Sequence, residues 1–253
     1  RSVAVWTMAD GQNLPVAHAN QATVGGRFRK GGFSLEGELF YKYTTGNLQQ
    51  VVLLNQLGGP DDPRPEGAAF RIFQGEGQAY GLELMAQQEG ERFSNWLSYT
   101  YSRSQQRYLQ AFRNEWFPAQ DDRPHQLQWN GLWQAGQWSF SGTYVFATGA
   151  PFLDASLQAF VEERERADPD LYRRIDDYHR VDLGLQYRLG WESVDAVIGL
   201  SLYNVLDLDN TWYRQQLFGL PAANRPDNRR VAVLGNELQL LGRTLSLSAT
   251  LRW

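Results

Sequence analysis

The end of the chain alternates strictly between apolar and polar side chains. The apolar set is Leu245, Leu247, Ala249, Leu251 and Trp253. The positions between them carry Ser, Thr and one Arg. Because successive side chains of an extended strand point to opposite faces, a period of two predicts a β-strand with one apolar and one polar face.

The same alternation recurs along the chain. The further segments are 22–28, 33–43, 80–86, 97–101, 127–133, 138–146, 181–189 and 196–202. A shorter candidate at 3–8 brings the total to about ten strands. The pattern therefore predicts an all-β protein.

The connections between these segments alternate in length. Short ones lie at Gly31-Gly32, Glu89-Gly90-Glu91, Ala135-Gly136-Gln137 and Gly190-Trp191-Glu192, and long polar ones at 55–69, 105–124, 148–177 and 208–242. A membrane-spanning up-and-down barrel places short turns at its periplasmic rim and long loops outside. We therefore expect a transmembrane antiparallel β-barrel.

A soluble sandwich or barrel would instead bury the apolar face. Two features favour the membrane. Aromatic rings lie on the apolar faces, several near strand ends where a membrane interface favours them, and charged residues lie on the polar faces, as a wet lumen requires. The aromatic set is Tyr99, Tyr101, Trp129, Trp133, Trp138, Tyr144, Phe146 and Tyr187, and the charged set includes Arg27, Arg29, Glu36, Glu38, Lys42, Glu83, Arg180, Asp182, Arg188 and Arg252.

Composition excludes several classes. No apolar run approaches the length of a transmembrane helix. The absence of Cys excludes disulfides and thiolate metal sites. With 24 basic and 28 acidic residues the formal charge is −4, so nucleic acid is not expected as a partner. The sequence begins at Arg1 without a secretion leader, which indicates a processed or excerpted segment.

Several short motifs, in order, resemble the barrel of TonB-dependent receptors. They are Gly77-Gln78-Ala79-Tyr80-Gly81-Leu82-Glu83-Leu84, Trp96-Leu97-Ser98-Tyr99-Thr100-Tyr101-Ser102, Asp122-Arg123-Pro124-His125, Gly149-Ala150-Pro151, Arg180-Val181-Asp182 and Tyr203-Asn204-Val205-Leu206-Asp207. These are similar to the family's G-x-x-x-G-x-E, L-S-Y-T, D-x-x-H, G-x-P, R-x-D and N-L-x-N patterns. The resemblance spans about residues 20 to 253.

The resemblance implies the carboxy-terminal part of a barrel of about 22 strands. Residues 1–253 would then be one portion of an outer-membrane barrel domain, without the plug or the segment that TonB grips. The implied function is active uptake of a siderophore-iron complex, cobalamin or an oligosaccharide. The implied partners are the TonB energy-coupling complex and the barrel-assembly machinery, which would read the terminal strand. The resemblance also allows a surface lipoprotein as a partner.

Two clusters suggest acid/base chemistry. Asp121, Asp122 and His125 form one, and Asp176, Asp177 and His179 the other. The alternative for both is a hydrogen-bond network that fixes a loop at a strand start, and we predict no catalytic residue. No metal-ligand spacing occurs among the three His, and the paired acids at 61–62 and at 168 and 170 lack a full calcium loop. Neither a metal nor a cofactor is expected.

Aromatic and Arg side chains in the long loops are the candidate ligand contacts, and the alternative for them is packing within the loops. The candidates are Trp116, Phe117, Tyr172, Trp212, Tyr213 and Arg214. The charged run at 161–174 could form a short loop helix, although a solvated surface is the commoner outcome.

Three functions remain open at this point. The first is the receptor. The second is a self-closed ten-strand barrel enzyme of protease or lipase type that uses Asp122 and His125. The third is a passive pore or adhesin. Pairing between the segment at 3–8 and the terminal strand would distinguish a self-closed barrel from part of a larger one.

Overall fold

The computed structural model describes residues 9, 11, 14–52, 70–108, 114–153, 172–191, 194–217 and 234–252. Fourteen β-strands occur in them. They are β1 (His18–Lys30), β2 (Phe33–Val52), β3 (Phe70–Glu89), β4 (Phe93–Tyr108), β5 (Phe117–Pro118), β6 (His125–Ala135), β7 (Trp138–Ala147), β8 (Pro151–Leu153), β9 (Tyr172–Arg174), β10 (Tyr178–Trp191), β11 (Val194–Tyr203), β12 (Thr211–Leu217), β13 (Leu234–Gln239) and β14 (Thr244–Arg252). These residues contain no helix long and apolar enough to cross a membrane.

The main sheet has ten strands, of which nine follow the order β1-β2-β3-β4-β6-β7-β10-β11-β14 and the tenth, β5, pairs with β4 off this path. Every neighbouring pair is antiparallel. Each of the nine corresponds to one predicted segment, so the predicted up-and-down order is confirmed. Among the described strands, β1 and β14 each have a single neighbour, and the sheet is open. The candidate strand at 3–8 and Trp253 lie outside the described residues.

The connections follow the predicted alternation. Tight turns join β1 to β2 and β6 to β7, and a short connection joins β3 to β4. Trp191 continues β10 rather than turning, and Glu192 lies outside the described residues, as does the loop at 55–69. The long connections contain strands that the sequence pattern missed: β5 pairs with β4, β8 with β9, and β12 with β13. The charged run at 161–174 ends in β9 rather than in a helix; the rest of it lies outside the described residues.

Strands β2, β3 and β4 are longer than predicted. Leu39, Leu82, Tyr101 and His125 face one another across four strands, and His125 begins β6 at that row. Beyond the row, β2 continues to Val52. A membrane crossing needs about 9–11 residues of strand. The outer parts of β2 to β4 therefore project past the other strands as a wall.

A bulge at Gly46 explains why the period of two does not reveal the full length of β2. The pairing register with β3 shifts between Thr45 and Asn47. Gly46 has a φ of 76°, and a Cβ there would lie 2.7 Å from the backbone oxygen of Val16. Only glycine fits this position without strain. After the bulge the alternation is reversed.

The apolar face of the sheet is exposed. On strands that have neighbours on both sides, the exposed fraction is 54% for Trp133, 51% for Leu183 and 49% for Ile198. A soluble barrel or sandwich would bury these side chains. Their exposure fits a surface that faces lipid.

Aromatic residues on this face lie in two groups. Near the loop end, Tyr99 and Tyr101 surround His125, and Tyr144 and Phe146 surround His179. Near the turn end, Trp133 and Trp138 lie against Phe140, and Tyr187 lies against Trp138. At about 3.4 Å per residue the groups are ~27 Å apart along β6. On a strand tilted by about 40°, that separation corresponds to a height of roughly 21 Å, comparable to the apolar band of about 25 Å that aromatic girdles flank.

Most of the deeply buried side chains lie at the loop end, in the outer ends of the strands and in the loops beyond them. They include Tyr108, Phe117, Asp122, Ile175, Tyr178, Asn204 and Asn210. The loops therefore have a packed core of their own, and the candidate site lies in this layer.

Candidate functional site

Asp122 joins three parts of the loop layer. Its carboxylate is 1% exposed and accepts a hydrogen bond from the Ser104 backbone N at 2.8 Å. It also forms an ion pair with Arg174, and a longer one with Arg103 at 3.7 Å. A buried carboxylate is tolerated where it is paired and hydrogen-bonded, as Asp122 is.

Arg174, on β9, completes this junction. Besides the Asp122 carboxylate, its guanidinium donates to the backbone O of Asp122 at 2.6 Å and of Gly149 at 2.9 Å. Gly149 itself packs against the backbone of Ile175, and its N donates to Asp177 at 2.9 Å. The chain before β6, the chain after β7 and strand β9 are thereby fastened together. The motifs Asp122-Arg123-Pro124-His125 and Gly149-Ala150-Pro151 meet here.

A second junction joins the motifs Arg180-Val181-Asp182 and Tyr203-Asn204-Val205-Leu206-Asp207. Arg180 pairs with Asp182 at 2.9 Å, and the other oxygen of Asp182 accepts from the Asn204 N at 2.9 Å. Asn204 is fully buried, and its amide donates to the backbone O of Leu208 at 3.0 Å and of Leu241 at 3.2 Å. It thus ties both stems of the β11–β14 connection.

The Asn210 side chain makes two hydrogen bonds to the His179 backbone that a neighbouring strand would otherwise make. Its side chain accepts from the His179 backbone N at 3.0 Å and donates to the His179 backbone O at 2.8 Å. The pairing of β10 with β11 begins only at Leu183, so His179 lies at an edge where β11 supplies no partner. Sequence reasoning missed Asn210, although its position before an apolar-aromatic strand is typical of a turn residue.

Three aromatic rings form the centre of the packed layer. Phe117 is 1% exposed and lies 5.8 Å from Tyr108 and 5.3 Å from Tyr172, centroid to centroid. Tyr108 in turn lies against Gly75, where a Cβ would come within 2.4 Å of its ring. Burial, with a smaller contribution from Tyr108, raises the pKa of Tyr172 to about 12.

The candidate ligand contacts are divided between different surroundings. Phe117 is buried within the aromatic layer, and Tyr172 is half-buried beside it. Trp116 contacts Arg107, whose guanidinium lies 4.8 Å from its ring centroid. Arg107 pairs with Glu76 in the projecting wall, and this pairing is the main reason that the pKa of Glu76 is lowered.

Hairpin β12–β13 carries the other three candidates. Trp212 is 53% and Tyr213 40% exposed. Arg214 pairs with Glu237 at 2.7 Å and lies 5.3 Å from the ring centroid of Phe152 on β8. The first contact joins the two strands of the hairpin and the second holds the hairpin against β8, while the Trp212 and Tyr213 side chains remain partly exposed.

The acid and the base proposed for an enzyme do not meet. His125 Nδ1 lies 2.8 Å from the Tyr99 hydroxyl, whereas Asp122 binds Ser104 and Arg174. Within the described ranges no hydrogen bond or ion pair joins Asp122 to His125. Asp122 fits the alternative, a network that fixes a loop. The part of the chain that is described also contains no cluster of three metal-ligating side chains.

The family described as TonB dependent receptor-like, beta-barrel matches residues 5–205. This chain belongs to the TonB-dependent receptor family. The predicted resemblance is confirmed, as is the fold class, an antiparallel sheet that forms part of a larger barrel. Proteins of this family are outer-membrane receptors and transporters, so the predicted location in the outer membrane is also confirmed.

Solved structures of similar fold include two transporters and one receptor, each named for iron or for a ferric complex. The ferric citrate transporter FecA is 15% identical, with a TM-score of 0.59 over 92% of this chain and 31% of that one. The FrpB iron transporter from Neisseria meningitidis is 15% identical, with a TM-score of 0.56 over 94% and 31%. The ferripyoverdine receptor of the outer membrane of Pseudomonas aeruginosa is 13% identical, with a TM-score of 0.55 over 92% and 26%.

The chain spans less than a third of the length of each of these structures. No curated protein matches the sequence. At these identities the structures show a shared fold, and the ligand has to be inferred from this chain's own residues.

Proposed function

We propose that residues 1–253 form the carboxy-terminal portion of the barrel of a transporter that takes up a scarce nutrient. The observation that carries the proposal is the loop layer. Side chains such as Asp122 and Asn204 hold together the described parts of the loops at one end of a membrane-spanning sheet. Trp212 and Tyr213 are exposed on that layer. Preorganised aromatic side chains bind ligands at little entropic cost.

Of the six predicted contacts, we propose that Trp212, Tyr213, Arg214 and Trp116 meet the ligand directly. Phe117 and Tyr172 support the layer, because Phe117 is buried and Tyr172 packs against it. Siderophore-iron, cobalamin and oligosaccharides are the candidate nutrients. An iron complex is the candidate to test first, because two proteins of similar fold are iron transporters.

The partners follow from this proposal. Energy would come from the TonB complex acting through a plug carried by another part of the protein. The barrel-assembly machinery would read the terminal strand through Leu245, Leu247, Ala249, Leu251 and Trp253. A surface lipoprotein could cover the loop layer. A catalytic role is not proposed, because Asp122 is committed to Arg174 and Ser104.

The test is uptake of radioactive iron from ferric chelates by cells that lack other iron receptors. We expect saturable uptake that a protonophore abolishes. Trp212→Ala should raise the half-saturation concentration about tenfold, since loss of a well-placed aromatic contact costs about 1–2 kcal/mol. Leu241→Ala is the matched control, because Leu241 is an exposed apolar side chain at the same end of the sheet. Uptake that is not saturable, or that ignores the protonophore, would favour the passive pore.

A further inference from the structure

Arg123 is a half-buried cation whose contacts differ from those of its neighbours. Its guanidinium donates two long hydrogen bonds, to the backbone O of Thr148 at 3.5 Å and of Trp212 at 3.3 Å. Its Cζ lies 5.5 Å from the ring centroid of Trp212. Among the described residues no carboxylate pairs with it. By contrast, Arg174 and Arg214 both pair with carboxylates.

The surrounding charges do not neutralise Arg123. Arg174 and Arg103 share the single buried carboxylate of Asp122. Asp177 is exposed and accepts from the Gly149 N. Burial, followed by repulsion from Arg174, lowers the pKa of Arg123, and the guanidinium still stays charged at neutral pH. A partly buried charge without a counter-ion is costly, and such groups concentrate at functional sites.

The geometry beside Arg123 fits an oxyanion. A guanidinium has five N–H donors in a planar fork that matches a carboxylate or phosphate in a bidentate manner. The two long carbonyl contacts leave most of this capacity unused. The exposed Trp212 ring lies directly beside it and offers a flat apolar surface. We infer that Arg123 and Trp212 recognise an oxyanion-bearing ligand, so that the nutrient carried by this receptor is an anionic complex.

This inference rests on the proposed function and specifies its substrate class. The same chemistry could come from a soluble anionic chelate or from the phosphate groups of an outer-leaflet lipid. We assign the oxyanion to a soluble chelate. Trp212 belongs to hairpin β12–β13, which pairs outside the main sheet, whereas the lipid-facing aromatic residues lie on the main sheet itself.

The experiment measures equilibrium binding of radioactive iron complexes to the intact purified protein in a neutral detergent. The anionic probe is ferric citrate, and the uncharged probe is a neutral ferric trihydroxamate. We expect Arg123→Gln to weaken ferric citrate binding about tenfold or more, since charge-assisted hydrogen bonds are lost. The Arg123→Lys variant should bind ferric citrate with intermediate affinity, because lysine keeps the positive charge but lacks the planar pair of N–H donors.

Two controls separate recognition from support of the hairpin. Arg92→Gln removes a charge at the turn end of the sheet and should leave both probes unaffected. Trp212→Phe keeps a ring beside Arg123 and should preserve the preference for the anionic probe. An equal loss of both probes in Arg123→Gln would mean that Arg123 only holds the hairpin, which overturns the inference. Failure of the wild type to bind ferric citrate overturns it as well.

A third arm addresses the lipid. Vesicles containing lipid A are titrated with the wild type and with Arg123→Gln. If the substitution weakens only vesicle binding, the oxyanion belongs to a lipid and the soluble-chelate assignment is wrong. The uptake assay tests the proposed function separately. If the cells take up anionic and neutral iron complexes equally well, this inference is wrong and the transporter proposal is still supported.

Discussion

Removal of the Asp122 carboxylate tests the loop junction most directly. The substitution Asp122→Ala deletes the acceptor for the Ser104 N and the ion-pair partner of Arg174. Breaking a buried ion pair by removing one partner costs about 3–5 kcal/mol. Arg174 keeps two backbone acceptors and is 28% exposed, so it can recover some solvation. We therefore expect the lower end of this range, about 3 kcal/mol.

The assay is amide hydrogen exchange, which reports local opening. The Ser104 amide is the probe because its hydrogen bond is made to the deleted carboxylate. A cost of about 3 kcal/mol corresponds to exchange ~100-fold faster. The amide of Ile175, which donates to the Ala150 O across the same junction, should accelerate with it. Asp122→Asn retains an acceptor oxygen and should produce a smaller effect.

Asp121→Ala is the matched control, because Asp121 is adjacent in sequence and exposed. We expect it to leave the Ser104 amide unchanged. A double-mutant cycle with Arg174→Ala should be non-additive by more than about 1 kcal/mol, since the two side chains share one contact. If Asp121→Ala and Asp122→Ala behave alike, or if the cycle is additive, the junction of Asp122 with Arg174 does not stabilise the loops.

Two further perturbations concern other parts of the layer. Because the pKa of Tyr172 is raised to about 12, its stabilising contribution is fully present below pH 10 and is lost as the pH rises towards 12. In Tyr172→Phe the loss of folding stability between pH 10 and pH 12 should be smaller by up to about 3 kcal/mol, as measured by unfolding at the two pH values. The same pH dependence in the variant and the wild type would contradict this prediction. Asn204 has a φ of 50° and a fully buried side-chain amide. Asn204→Ala should therefore lower the free energy of unfolding by about 2–4 kcal/mol in chemical unfolding, and Asn204→Gly by about 1 kcal/mol less, because glycine relieves the backbone strain. Equal losses in the two variants would contradict the role of the positive φ.

The sequence is most informative where one face of a strand meets lipid and the other meets water. The contrast between Leu183 and Asp182, or between Leu247 and Ser248, is large, and all nine such strands were predicted. The outer parts of β2 and β3 lack that contrast, because both of their faces lie beyond the apolar band. The bulge at Gly46 reverses the phase as well. A search for one uninterrupted two-residue alternation therefore misses the outer parts of these strands.

The loop layer was predictable only in outline. The interpretation of Asp122 as part of a loop-fixing network agrees with its contacts, because buried carboxylates near strand starts have few other satisfactory surroundings. Its partner Arg174 is 52 positions away in the sequence, and no local pattern specifies such a pair. The burial of Phe117 likewise could not be predicted from the sequence, since an aromatic residue in a polar loop can equally face solvent or pack inward.

The projecting wall makes the receptor unequally stiff around its rim. On one side, β2 and β3 stay paired from the turn end to beyond the aromatic girdle, with one bulge at Gly46, so they can transmit a displacement along their length. On the other side, the chain leaves the sheet at Ala147 and Tyr203, and a few side chains such as Asp122 and Asn204 hold the loops in place beyond those two residues. Motion that accompanies ligand arrival should therefore begin on the second side, with the wall as its fixed support.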